Sequence, residues 1–131
     1  MEMTEFLQEM VRLDASDIYI TVDLPPMYRR EGINTPLGTK NLTAEDTRML
    51  AEKCMTEKQR KDFYEKMEMN LALYYPEFGR FRVNIFFQQR NIGLVIRQIK
   101  INIRTIDELN LPHILKDVAM TKRGLVLVVG A

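Results

Sequence analysis

"GRFRVNIFFQQRNIGLVIRQIK" (residues 79–100) alternates residue type at each step of its first half. Phe81, Val83 and Ile85 fall on one side, and Arg80, Arg82 and Asn84 on the other. That two-residue period belongs to a strand with one face in a core and one in water. After a turn expected at residues 91–93, where Asn91 and Gly93 offer turn chemistry, "IGLVIRQIK" reads as the returning strand. Such a hairpin places Arg82 and Arg97 on adjacent strands. "NLALYYPEF" (residues 70–78) precedes it and ends in a second turn candidate at residues 76–79, so the three strands read as an antiparallel meander.

Upstream, "LTAEDTRMLAEKCMTEKQRKDFYEKM" (residues 42–67) changes to a helical period. Thr43 with Asp46 makes a capping box, and Thr56 followed by Glu57 marks a second start, so two helices meeting at Met55 and Thr56 are expected. Cys54 lies on the apolar stripe with Leu50 and Ala51 and reads as a core residue. "EKQRKDFYEK" (residues 57–66) reads as a solvated face, with an i,i+4 pair between Glu57 and Lys61.

At the start of the chain, Phe6, Leu7, Met10 and Val11 form one stripe of an amphipathic helix over residues 3–13. "SDIYITVDLPP" (residues 16–26) then alternates, with Ile18, Ile20 and Val22 opposite Tyr19 and Thr21, until Pro25 and Pro26 end the ladder. In "MYRREGINTPLG" (residues 27–38), Glu31 and Gly32 form the turn between two short strands. A left-handed Glu31 predicts a loose hairpin there, and Asp23 makes the shape of its own turn hard to predict.

Downstream, Thr105 with Glu108 and then Pro112 predict two short helices within "RTIDELNLPHILKDVAM" (residues 104–120). His113 beside that proline reads as a surface or capping residue without a catalytic role. The last stretch, "GLVLVVGA" (residues 124–131), is apolar on both faces and runs into glycine, the pattern of a strand covered by helices on each side. The fold class expected from this order is α+β, a mainly antiparallel sheet with helices packed on one face.

Composition narrows the function classes. The 131 residues carry 19 basic and 18 acidic side chains, a balance that offers no global field for nucleic acid or anionic lipid. One cysteine and one histidine leave no internal disulfide and no multi-cysteine zinc site. No run approaches the ~20 apolar residues of a transmembrane helix, and no leader-like start is visible, so a cytoplasmic location is expected.

The combination of "LPPMYRREG" (residues 24–32), "EKQRKDF" (residues 57–63), "GRFRVNIFFQQR" (residues 79–90) and "TKRGLVLVVGA" (residues 121–131) resembles the type IV pilus retraction ATPases. These are the PilT/PilU family, and "LPHILKDVAMTKRGLVLVVGA" (residues 111–131) is more similar to its PilU branch. The resemblance implies a PAS-like N-terminal domain over residues 1–102 and a helical linker over residues 103–123. Residues 124–131 would then be the first strand of a RecA-like ATPase domain whose remainder the sequence does not contain. Gly130 and Ala131 would open its Walker A loop, a P-loop whose amides cradle phosphates. Without the loop's lysine and a magnesium ligand, these residues alone are expected to be inactive.

The full-length protein implied is a homo-hexameric motor that hydrolyses ATP with magnesium to withdraw pili. It would work at the inner membrane with the pilus machinery and a paralogous retraction ATPase. Within that resemblance Arg82 and Arg97 match arginines that reach the nucleotide of a neighbouring subunit. Read from the residues alone, they are solvated charges on an exposed sheet face. Arg80 and Arg90 read as edge and turn charges. The alternatives are a fragment of a pilus assembly or type II secretion ATPase, and a stand-alone PAS-like sensing or interaction module.

Overall fold

The computed structural model describes residues 2–101 and 103–130, which divide into two compact units, Met1–Ile101 and Asn102–Ala131. The first unit holds α1 (Met3–Arg12), β1 (Asp17–Ile20), β2 (Met27–Arg30), β3 (Ile33–Pro36), α2 (Ala44–Cys54), α3 (Glu57–Lys66), β4 (Glu68–Tyr75), β5 (Gly79–Gln88) and β6 (Asn91–Ile99). The strands form one sheet in the order β3-β2-β1-β6-β5-β4, antiparallel at every pairing. The α+β architecture is therefore as expected.

The β5–β6 hairpin pairs Val83 with Ile96 and Ile85 with Leu94. This register brings the apolar residues of both strands to one face. It also moves the turn: the two residues between Gln88 and Asn91 are Gln89 (φ 49°) and Arg90 (φ 66°), not residues 91–93. Neither side chain favours left-handed geometry, so the pairing of the apolar faces has overridden local turn preference. Gly93 lies within β6, opposite Phe86. A Cβ there would sit 3.0 Å from Phe86 Cζ, so the glycine gives the aromatic ring its place.

Every helix of this unit covers the same face. Phe6, Leu7 and Met10 from α1, Leu50 and Ala51 from α2 and Phe63 from α3 join Ile18, Ile20, Val83, Ile85, Leu94 and Ile96 in one buried core. Each such side chain larger than Ala51 contributes about 1.5–3 kcal/mol when fully buried. Tyr28 closes the β2 side by donating its hydroxyl to the Phe6 carbonyl at 3.1 Å, and burial raises the affinity of that phenol for its proton.

The helix boundaries follow their caps. Thr43 accepts from the Asp46 amide while Asp46 accepts from the Thr43 amide, and Thr56 with Gln59 repeats the arrangement. The expected Glu57–Lys61 ion pair is not made among the described residues; the i,i+3 pairs Glu9–Arg12 and Glu45–Arg48 are. Cys54 packs against the core, half-buried. α3 ends with Met67 left-handed (φ 62°), its amide donating to the Phe63 carbonyl at 2.7 Å. A non-glycine residue there is strained, so Met67→Gly is expected to stabilise the fold by about 1 kcal/mol, read as a higher urea midpoint at unchanged slope.

The expectation of a loose hairpin at Glu31 is corrected. The Glu31–Gly32 turn is tight: both residues have positive φ (50° and 82°) and Arg30 pairs directly with Ile33. The twist of a primed turn matches that of its strands, which makes up for the strain at Glu31. Asp23 takes the left-handed geometry a glycine would allow (φ 64°) and is pinned by its amide, which donates to the Leu42 carbonyl at 2.9 Å.

In the second unit Thr105 and Glu108 form their capping box, but the backbone makes only turns before Pro112, as in the Leu109 amide to Thr105 carbonyl bond of 3.1 Å. Of the two helices expected, one is present, α4 (Ile114–Ala119). Proline disfavours helical backbone in the residue before it, which cuts the first short. Residues 124–130 are not a strand, and Val128 and Val129 are 90% and 88% exposed. A strand exists by hydrogen bonding to a neighbour, and among the described residues none pairs with this segment. Ala131 lies outside the described residues.

Candidate functional site

The face of the sheet opposite the helices carries polar and charged side chains in cross-strand rows. In one row Ala72 of β4 stands opposite Arg82, Arg82 opposite Arg97, Arg97 opposite Asp17, and Asp17 opposite Arg29 of β2. The structure thus places Arg82 and Arg97 on adjacent strands, as expected, and the shifted turn brings them into direct cross-strand register. Like charges so placed repel and are normally avoided.

One carboxylate relieves this row. Arg97 Nε donates to Asp17 Oδ1 at 2.8 Å, while Ser16 Oγ donates to Asp17 Oδ2 at 2.8 Å. Asp17 is buried, whereas the Arg97 side chain is 66% exposed. The hydrogen bond to Asp17, and then its charge, strengthen the hold of Arg97 on its proton. Arg29 is held in the same sense, first by its contact with the Tyr19 hydroxyl, with Asp17 adding attraction and Arg97 opposing it. Arg82 makes no ion pair among the described residues.

The next row holds Asn70 opposite Asn84 and Asn84 opposite Val95. Asn84 Nδ2 lies 3.1 Å from Glu68 Oε1 and 3.2 Å from Asn70 Oδ1. Together Asn70, Arg82, Asn84, Val95 and Arg97 line an open hollow of about 280 Å³. Its chemistry is that of a hydrogen-bond donor surface bearing two guanidinium groups, suited to a multivalent oxyanion such as a phosphate chain. A second hollow of about 300 Å³, between residues 21–24 and 88–93, contains no such pair.

The other residues singled out in the sequence lie apart. Arg80 stacks over the Tyr74 ring at 5.4 Å, and Arg90 is in the β5–β6 turn. His113 precedes α4, exposed, with Nδ1 3.3 Å from Asp107 Oδ1. Gly130 is exposed in the second unit. No cluster of three or more metal-ligating side chains occurs among the described residues, and no helix of theirs is long and apolar enough to cross a membrane. Asp17 is the site residue that sequence reasoning missed. Its contact with Arg97 spans 80 residues, and only its position on the Tyr19 side of β1 hinted at this face.

The same fold is matched by part of two solved ATPases. The chain superposes on the pilus retraction motor PilT with bound ADP at a TM-score of 0.77 and 26% identity, covering 92% of this chain and 36% of that one. It matches the Yersinia pseudotuberculosis ATPase DotB in fold at a TM-score of 0.69 and 20% identity, over 85% of this chain and 33% of that one. The class defined by the fold is the N-terminal domain found in the solved retraction motor PilT.

No protein-family model matches the chain. It is 44% identical to the type IV pilus ATPase PilU of Pseudomonas aeruginosa over 100% of its own length and 34% of that protein's. To the type IV pilus retraction ATPase PilT of the same organism it is 38% identical, over 99% of this chain and 38% of the relative. A twitching motility protein of Neisseria gonorrhoeae is 31% identical over 80% of this chain and 28% of its own. The chain belongs to the PilT/PilU family, corresponding to the N-terminal part of those proteins. It spans about a third of the length of the curated relatives it matches.

Proposed function

We propose that the chain is the N-terminal portion of a type IV pilus retraction motor and that it presents Arg82 and Arg97 to ATP held by the motor domain of a neighbouring subunit. Residues 1–102 form the presenting domain in this reading, residues 103–123 the linker, and residues 124–131 the entry to the P-loop. The full-length protein is a cytoplasmic homo-hexamer at the inner membrane that hydrolyses ATP with magnesium and couples turnover to pilus withdrawal. It works with the pilus machinery and a paralogous retraction ATPase.

The observation that carries this reading is the cross-strand apposition of Arg82 and Arg97 on the helix-free face, with a single buried carboxylate between three arginines. Two guanidinium groups at one place favour a ligand that brings more than one negative charge, as a triphosphate does. They are donors only, so this face would contact phosphate oxygens, and the magnesium ion would be held by the motor domain. Arginine supplied across a subunit boundary offsets charge that develops during phosphoryl transfer.

Arg82→Ala and Arg97→Ala in the full-length hexamer are each expected to lower ATP turnover about tenfold while the oligomer stays intact. Normal turnover in both variants overturns the nucleotide role of this face.

A further inference from the structure

The structure assigns Asp17 a role within the proposed site: we infer that it is a positioning residue that aims Arg97, leaving both terminal guanidinium nitrogens free for the ligand. The inference rests on the nucleotide reading of Arg82 and Arg97, and deepens it.

The geometry is lopsided in a way a purely stabilising ion pair need not be. The carboxylate is buried and the guanidinium is mostly solvent-facing, with 66% of the Arg97 side chain exposed against 5% of Asp17. A buried carboxylate must be satisfied on both oxygens, and here each has a donor: Ser16 Oγ on Oδ2 and Arg97 Nε on Oδ1, both at 2.8 Å. Arginine and carboxylate often meet through two parallel hydrogen bonds, which would engage a terminal nitrogen. Arg97 instead meets Asp17 through Nε alone, the inner donor of its fork. The two outer groups keep their donors for another acceptor.

Register adds a second reason. Arg97 lies between Asp17 on β1 and Arg82 on β5. The negative charge on its β1 side offsets the repulsion from its β5 side, so the two arginines can share one row. Ser16 prevents rotation of the carboxylate by holding its other oxygen, and its own amide donates to the Arg29 carbonyl at 2.8 Å. Hydroxyl, carboxylate and guanidinium thus form a chain that starts in the β1–β2 backbone and ends on the open face. A side chain held this way has lost its orientational freedom before the ligand arrives, which strengthens charge stabilisation at the reacting group.

The test is a double-mutant cycle in the full-length ATPase, with kcat, KM and thermal midpoint measured for Asp17→Asn, Arg97→Ala and the double variant. Asp17→Asn is expected to lower kcat about fivefold with KM nearly unchanged, and to have less than about a twofold effect once Arg97 is alanine. A loss of the same size in both backgrounds overturns the inference, because Asp17 would then act through general stability. Full activity of Asp17→Asn beside an impaired Arg97→Ala overturns it too and leaves the nucleotide reading standing. An unimpaired Arg97→Ala overturns the inference, because Arg97 would then have no role to be aimed for. The nucleotide reading of the face itself falls only if Arg82→Ala is unimpaired as well. If Asp17→Asn does not fold, Asp17→Glu, which keeps the charge but displaces the carboxylate by one methylene, carries the same comparison with the same outcomes.

Discussion

Phe63→Ala is expected to cost the first unit about 3–5 kcal/mol, a large share of the ~5–15 kcal/mol that holds a domain together. Phe63 is the one residue of α3 that is buried among those described, and it is fully so. Its ring stacks on Phe87 of β5 at 5.1 Å and lies 5.3 Å from that of Tyr64. Everything else that α3 presents to its surroundings is polar or half-exposed, and a helix of 10 residues is not stable in water by propensity alone. Truncation therefore removes the anchor of a whole element as well as opening a cavity. Urea denaturation should show a midpoint lowered by the equivalent of at least 3 kcal/mol, and amide exchange in α3 should accelerate more than in α2. Lys61→Ala, on the solvated side of the same helix, should stay within ~0.5 kcal/mol of the parent. A midpoint shift below about 1 kcal/mol for Phe63→Ala would mean that α3 is held by something other than this ring.

That helix shows where the sequence is readable and where it is not. Thr43 with Asp46 and Thr56 are local signals, three or four residues long, and the chain obeys them because a cap satisfies backbone donors whatever lies beyond. The faces of β5 were legible for a similar reason, since a two-residue period assigns Phe81 and Arg82 to opposite sides without reference to any partner.

Position along a ladder is different. The β5–β6 turn was misplaced because Asn91 and Gly93 carry turn chemistry, whereas the register that buries Ile85 beside Leu94 forces Gln89 and Arg90 into the turn instead. Pairing of β1 with β6 brings together residues about 80 apart in the chain, so the Asp17–Arg97 contact has no local signature at all. The apolar stretch at residues 124–130 shows the converse. Its composition is that of a buried strand, but a strand needs a neighbour to bond with, and composition does not supply one.

Cys54 should react with a thiol-exchange reagent about a thousandfold more slowly in the native protein than in the unfolded chain at pH 8. Burial is the cause: it pushes the thiol from an ordinary 9.0 up to about 12, since a thiolate has no compensating charge among the Leu50 and core side chains around it. The thiol also donates to the Leu50 carbonyl at 3.2 Å, a bond that the thiolate cannot make. The sign follows from the direction of the shift. Below pH 9.0 the group is neutral in both states and contributes no pH dependence; above it the unfolded chain releases its proton first, so this group's contribution to stability falls until about pH 12. Native labelling should keep rising with pH past the point where labelling in urea levels off near 9.0. A native rate within tenfold of the unfolded rate would show that the end of α2 is open to solvent. The same thiol then separates two outcomes of Phe63→Ala. If the loss of the ring lowers global stability by 3–5 kcal/mol, opening that exposes Cys54 becomes more than about a hundredfold more frequent, and labelling accelerates with it. If α3 alone is released, labelling of Cys54 stays near its parent rate while α3 amides exchange freely, because α2 retains its own anchors, Leu50 and Ala51, against β6.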